Sequence, residues 1–310
     1  MDIGQGITFG GGVSITPNPP PSMKAIFSYG YSGFVTNLVS TTGVVANDVA
    51  GVGTSRVGIG AAGYGTNKAI FGFGGGPFLS ITNLVSNTGV VGNDVAGVGS
   101  PRYKLSAATY GTDKAIFGPG GTADNPYYTT VTNLVSNTGV VANNTAGVAG
   151  VTYSEYRGAA GYGTDKAIFG YGTGPISITN LISNTGVMAT DTAGVGTARG
   201  SLAAAGYGSD KAVFGFGNTG DAGAPTPVSI TNKVSNTGVV AADTTGVGTA
   251  RYALAAAGYG VDTAIFGYGQ SNVGTVSVTN KVSNTGVVAT DTTGVGTARF
   301  YIAAASYGLS

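Results

Sequence analysis

Six arginines, Arg56, Arg102, Arg157, Arg199, Arg251 and Arg299, recur at one place in a repeated stretch of the chain. Guanidinium groups gathered in this way could hold an anion through charge-assisted hydrogen bonds. The same stretches carry a counter-set: Asp48, Asp94, Asp191, Asp243 and Asp291, with Asn144 in the third copy. Six Arg against five Asp and one Asn reads as pairing that fixes the contact between repeats, in preference to an anion ring. A second acidic set, Asp113, Asp165, Asp210 and Asp262, with Asn67 in another copy, stands mostly beside a Lys. Asp and turn carbonyls are hard oxygen donors that suit Ca²⁺. No repeat, however, packs several acids into one loop, and a turn-forming Asp that bonds backbone N–H groups accounts for the pattern. No metal site and no cofactor is expected.

Catalytic chemistry is thinly supplied. The chain has no His for proton shuttling near neutral pH and no Cys nucleophile. Asp2, Asp124, Asp221 and Glu155 are the acids left outside the repeated positions. The expected protein is therefore not an enzyme, and no catalytic residue is assigned. A third repeated set is aromatic: Tyr64, Tyr110, Tyr162, Tyr207, Tyr259 and Tyr307, each between small residues at the end of a run. Such rings could stack on sugars between neighbouring repeats, but packing over glycine backbone in the core is the favoured role. The G-x-G elements follow strand-like runs without opening a helix, so they do not make a dinucleotide fingerprint.

These residues need a scaffold, and the repeat supplies it. Its period is about forty to fifty-five residues. Each copy holds an Arg, a run of small residues ending in GYG, an AIF run ending in G-x-G, a TNxVSNTGVV run and a DTxGVG run. In the fifth copy these read as strands over 201–205, 211–216, 228–235 and 239–247, with a tight turn at Ser235-Asn236-Thr237-Gly238. The Lys211–Phe216 run is apolar on both faces, as in a strand sandwiched between two sheets. No helical period is present. The repeat begins mid-copy: Lys24–Phe27 lacks the Arg-led segment before it, and that segment appears alone at Arg299–Gly308. A linear stack gains nothing from this offset, whereas a ring removes an open sheet edge. The expectation is all-β: a six-bladed β-propeller of four-stranded antiparallel blades over residues 23–310, closed by the C-terminal strand completing the N-terminal blade.

Residues 1–22 stand apart as a Gly/Pro-rich leader or anchor, with Pro17, Pro19, Pro20 and Pro21 as a stiff extended link. The order of Arg, small strand, Gly-rich strand and third strand resembles a kelch-type repeat over residues 23–310. The kelch glycine pair stands here as Gly170-Tyr171-Gly172 or Gly215-Phe216-Gly217, and the fourth-strand Trp is absent. The leader ITFGGGVSIT is similar to leaders of structural proteins of marine tailed phages. That resemblance implies a virion component.

Charge and hydropathy exclude other classes. With 14 Lys and Arg against 13 Asp and Glu and no block of either sign, nothing marks a nucleic-acid or anionic-lipid surface. No apolar run is long enough to span a membrane. Variation between copies falls in the loops between second and third strands and between repeats, which share one face. The residues expected to touch a partner or glycan there are Phe78, Asp124, Asn125, Tyr127, Tyr128, Tyr153, Glu155 and Tyr156. The functional expectation is a non-catalytic structural or attachment component of a phage particle, located in the virion. Its partners would be other virion proteins or a host-surface glycan or protein. The alternatives are a lectin-like propeller with glycan between its blades and a cytoplasmic or extracellular protein-interaction scaffold.

Overall fold

A computed structural model describes residues 8–9, 13–14, 22–123, 127–221 and 223–309. The chain is all-β, and no helix occurs among the described residues. Its strands form six antiparallel sheets of three or more strands, one for each copy of the repeat. In the fifth copy, Ala203–Tyr207 pairs with Lys211–Gly215, which pairs with Thr231–Val234. The Ala-Ile-Phe run, Ala-Val-Phe in the fifth copy, lies in the middle strand every time, and Ala25, Ile26 and Phe27 are fully buried along it. Both of its faces meet neighbouring sheets, which is why it is apolar without alternation.

The regular pairing stops after three strands. The expected fourth strand is reduced to two isolated bridges, Thr231↔Thr244 and Val234↔Val240 in the fifth sheet. Only the first sheet gains a short fourth strand, Val49–Ala50. The TGVVA run turns back on the third strand, and the following Asp then leaves the ladder to bond elsewhere, as described below. The third strand of the fifth copy also starts at Thr231 and not at 228, because Asn218 bridges Pro227 across the inserted loop.

Six apolar clusters hold the sheets, and each draws on two neighbours. Phe71 and Val85 of the second sheet meet Ile26 and Tyr307 of the first. Phe27 and Val39 of the first sheet meet Ile265 and Tyr259 of the sixth in the same manner. The first sheet itself joins the two ends of the chain: Ala303–Tyr307 pairs with Lys24–Ser28 in the register Ala303↔Ser28 to Tyr307↔Lys24.

Backbone hydrogen bonds lace the first strands together at both ends. At one end the N–H groups of Lys104, Tyr156, Ser201, Ala253, Tyr301 and Gly58 donate to the carbonyls of Gly58, Lys104, Tyr156, Ser201, Ala253 and Tyr301 respectively. The series returns to its starting residue. All six residues have left-handed φ, between 50° and 59°. At the other end Gly65, Gly111, Gly163 and Gly208 donate to the carbonyls of Asp113, Asp165, Asp210 and Asp262, each at 2.7 Å. Gly260 donates to Met23 and Gly308 to Asn67, which continues the same series across the chain ends. Of the leader, the described part is a two-residue pairing of Thr8–Phe9 with Val13–Ser14.

Candidate functional site

The arginines are buried and structural. Arg299 donates from Nη2 to Asn37 Oδ1 at 2.7 Å, from Nε to the Tyr29 carbonyl at 3.1 Å and from Nη1 to the Thr297 carbonyl at 3.1 Å. Asn37 then donates to Asp48 Oδ1 at 2.8 Å and to the Ala46 carbonyl at 3.0 Å. Asp48 in turn accepts from the N–H and hydroxyl of Thr297. The Arg and Asp meet directly only at long range, 3.7 Å for Arg56–Asp94 and 4.0 Å for Arg299–Asp48. The Asn of each T-N pair is therefore the relay between them, and Asn37, Asn83, Asn133, Asn180, Asn232 and Asn280 are all fully buried. The Arg–Asp pairing expected from the repeat is thus indirect, and the Asn that mediates it is invariant among the six copies.

Electrostatics agree with a fixed clasp. Burial works to raise the Asp48, Asp94, Asp191, Asp243 and Asp291 carboxyls. Hydrogen bonds from Thr and Asn and the Arg charge outweigh it, and hold all five below the usual carboxylate range. Burial pulls Arg102 and Arg251 down to about 10, which leaves them charged at neutral pH. Five aromatic residues, four from G-x-G elements and Tyr29 from the equivalent Ser28-Tyr29-Gly30, cover these cations: Tyr29 lies over Arg56, Phe73 over Arg102, Tyr171 over Arg199, Phe216 over Arg251 and Tyr268 over Arg299. Each adopts a left-handed φ of 61–65°.

The fourth copy departs from this pattern. In the expected alignment all six arginines share one position, but the backbone series described above places Tyr156 level with Gly58, Lys104, Ser201, Ala253 and Tyr301. Ser154, buried, therefore stands where the other copies have Arg, and Arg157 comes from three residues later, where they have Leu or Ile. Its longer reach still brings Nη2 to Asn180 Oδ1 at 2.6 Å. The preceding aromatic is replaced as well. Proline cannot take a left-handed φ, so Pro119 at that place ends the third sheet's middle strand at Phe117.

The repeated tyrosines prove to be packing groups. Tyr64, Tyr110, Tyr162, Tyr207, Tyr259 and Tyr307 are between 1% and 6% exposed, which closes them to a sugar lying between sheets. Each covers the glycine of the next sheet's turn, as Tyr64 covers Gly139 and Tyr307 covers Gly89. The turn acids differ in detail from expectation. Their backbone carbonyls accept from the neighbouring Gly N–H, while their carboxylates meet Lys at 3.3 Å (Asp113–Lys114), 2.9 Å (Asp165–Lys166) and 2.7 Å (Asp210–Lys211). Among the described residues, no three His, Cys, Asp or Glu cluster in a way that could hold a metal ion.

What remains chemically uncommitted lies on the variable loops. Phe78 meets Tyr103 edge-on at 4.5 Å, and Tyr128 stacks on Tyr153 at 3.8 Å. Lys104 Nζ lies 4.5 Å from the Tyr103 ring, 5.1 Å from the Tyr156 ring and 2.7 Å from Glu155 Oε2. Tyr156 stacks on Tyr301 at 4.6 Å, and Phe300 next to it stacks on Tyr31. Phe78, Tyr153, Glu155 and Tyr156 thus join one belt, to which the structure adds Tyr31, Tyr103, Lys104, Phe300 and Tyr301. Tyr127 and Tyr128 stand on the surface, 62% and 50% exposed. Asp124 and Asn125 lie outside the described residues. The missed residues had one signal in the sequence, since Tyr103 and Phe300 both directly follow a repeat Arg.

Burial would lower the Lys104 ammonium, but the Glu155 carboxylate and Tyr103 hydroxyl outweigh it and raise its pKa. Burial, assisted by Tyr301 and Glu155, pushes Tyr156 far up. Beside Tyr156 and Tyr301 opens a cavity of about 290 Å³. A larger one, about 390 Å³, opens at the opposite end of the first strands among the near-identical turns, with Thr66, Thr112, Thr164 and Ser209 around it.

No protein-family model matches the chain, and no curated protein matches it. Among solved structures, that of YjhT is similar over 88% of this chain and 98% of that one, with 10% identity and a TM-score of 0.64. At that identity the likeness concerns the fold alone. No described helix is long and apolar enough to cross a membrane.

Proposed function

We propose that the six sheets are blades of a closed β-propeller spanning residues 23–310, and that it serves as a non-catalytic attachment component of a larger assembly, a phage particle in the reading favoured here. Closure is supported by the pairing of Ala303–Tyr307 with Lys24–Ser28 and by the Arg299–Asn37 bond, which repeats the Arg Nη2–Asn bond of the other junctions. The likeness to YjhT over 88% of this chain and 98% of that one supports a single fold across the six sheets. Residues 1–22 would anchor the propeller, and the variable face would meet a neighbour or a host surface.

The observation that carries the attachment reading is a division of labour. The repeated Arg, Asn and Asp groups are consumed inside the framework, while departures from the repeat collect on one face as an aromatic belt. Aromatic side chains give large contact area at low entropic cost, and Tyr31, Tyr127 and Tyr128 offer theirs to solvent at 50% exposure or more. The commitment of the Asp carboxylates to Thr and Asn also favours a non-catalytic role.

Sedimentation of the full chain against a chain beginning at Met23 tests the proposal. The full chain should assemble into larger species while the shorter one remains a compact monomer. Two compact monomers of the same shape would remove the anchor and with it the attachment reading.

A further inference from the structure

Two departures from the repeat meet at one place on the variable face. The shifted connector of the fourth copy brings Glu155 and Tyr156 to the end of the first strands, level with Lys104 and Tyr301 and with the small residues Gly58, Ser201 and Ala253. The described part of the fifth copy's insertion, 218–221 and 223–227, rises opposite. Asn218 shapes that insertion: its Nδ2 donates to the Gly220 carbonyl and its Oδ1 accepts from Gly220 N–H and Thr226 N–H. The 290 Å³ cavity lies between the two, with Tyr252 and Tyr301 completing its wall. Neither insertion forms it alone.

We propose that this cavity binds one neutral sugar ring. Half-buried Tyr252 lines it beside the Tyr156–Tyr301 stack, and its ring offers aromatic surface suited to the C–H face of a pyranose. Polar groups of both kinds surround that surface: the Lys104 ammonium and the Ser201 hydroxyl can donate, and the Glu155 and Asp221 carboxylates accept from hydroxyls. A purely apolar ligand would leave the Ser201 hydroxyl and the Asp221 carboxylate without a partner in it. Charge decides between polar ligands. Lys104 is neutralised by Glu155 at 2.7 Å, and Asp221 then leaves the site net negative, which disfavours acidic sugars and phosphorylated ligands. The volume falls near the lower end of the roughly 300–1,000 Å³ range of ligand sites, enough for one ring and not for a chain of them.

The inference rests on the reading of the variable face as a contact surface, and supplies its ligand class. The test titrates the full chain with the methyl glycosides of glucose, galactose, mannose and N-acetylglucosamine, with N-acetylneuraminic acid as the anionic probe. Saturation-transfer NMR and calorimetry report binding. At least one neutral glycoside should bind saturably and the acidic sugar should not. Asp221→Ala and Tyr252→Ala should each weaken that binding by at least about tenfold, whereas Tyr127→Ser, outside the cavity, should leave it unchanged. Asp221 is exposed and makes no core contact, so its variant retains the fold, and the melting temperature of each variant checks this. Silence from all four neutral glycosides, preference for the acidic sugar, or indifference to both cavity substitutions would overturn the inference. Absence of sugar binding in a chain that still assembles removes the cavity ligand alone. Sugar binding in a chain that never assembles removes the attachment reading alone.

Discussion

Replacing Asn37 by Ala tests closure at a single residue. Asn37 is fully buried and links Arg299, 262 residues away, to Asp48 and to the Ala46 carbonyl. The substitution removes the acceptor of Arg299 Nη2 and leaves a buried guanidinium short of a partner, a change that costs about 3–5 kcal/mol where the charge remains uncompensated. Two amide N–H bonds worth about 1 kcal/mol each are lost as well. The guanidinium keeps its bonds to the Tyr29 and Thr297 carbonyls, so its own share falls to about 2 kcal/mol and, with the two amide bonds, the expected loss is about 4 kcal/mol. At roughly 2.1 cal/mol/K of unfolding entropy per residue, this lowers the melting temperature by about 6 °C. Asn280→Ala is the internal control, because Asn280 makes the same bonds to Arg251, Asp291 and Ala289 within the continuous chain. Urea denaturation and calorimetry at pH 7 should give the two variants the same loss. A cost below about 1 kcal/mol for Asn37→Ala beside a full cost for Asn280→Ala would refute closure, because the clasp would then be dispensable where the chain ends meet.

Three further outcomes follow from the same framework. A Cβ at Gly139 would lie 2.8 Å from the Tyr64 ring on a backbone of φ +85°, whereas one at Gly174, φ +77°, would meet nothing within 4 Å. Gly174→Ala should therefore cost only about 1 kcal/mol of left-handed strain, and Gly139→Ala about 1–3 kcal/mol more from overpacking; equal melting temperatures would remove the Tyr-on-Gly packing argument. The five clasp carboxyls are depressed in the fold, so their contribution is complete above the unfolded Asp value near ~3.9 and is lost as pH falls through the lower folded values; urea midpoints should fall steadily from pH 4 toward about 2, and a flat profile would contradict the depressed values. Burial pushes Tyr29, Tyr171 and Tyr268 up to about 12, so ultraviolet titration should show a group of tyrosines that ionises well after the exposed ones, and a single transition near ~10 would show those rings to be accessible.

The sequence carried the architecture because the same local conflicts recur in every copy. An AIF run apolar on both faces can be satisfied only between two sheets, and six such runs require six sheets. The offset between Lys24 and Arg299 carried the pairing of the chain ends for the same reason. The fourth strand was harder to read. Its V-V-A run has strand composition, but the Asp that follows bonds the Thr of the incoming connector, as Asp243 does with Thr197, and that bond draws the backbone off the ladder. A long-range side-chain bond of this kind leaves no mark in local propensity.

The irregular fourth copy shows why the site was legible only in part. By alignment Arg157 looked like every other repeat Arg, since its side chain ends at the same kind of partner, an Asn of a T-N pair. Its backbone origin differs by three residues, and that slide is what puts Tyr156 level with Gly58, Lys104, Ser201, Ala253 and Tyr301. The framework tolerates the slide because Arg is long enough to reach Asn180 from the new position, and because Pro119 has already removed the aromatic that would otherwise cover the cation. Sequence comparison sees a retained Arg and a longer connector, and reads the extra residues as loop. The fold converts them into a change of side chain beside the cavity. A retained Arg–Asn contact can thus conceal a shift of backbone register, and at this shift Tyr156 comes to stack on Tyr301.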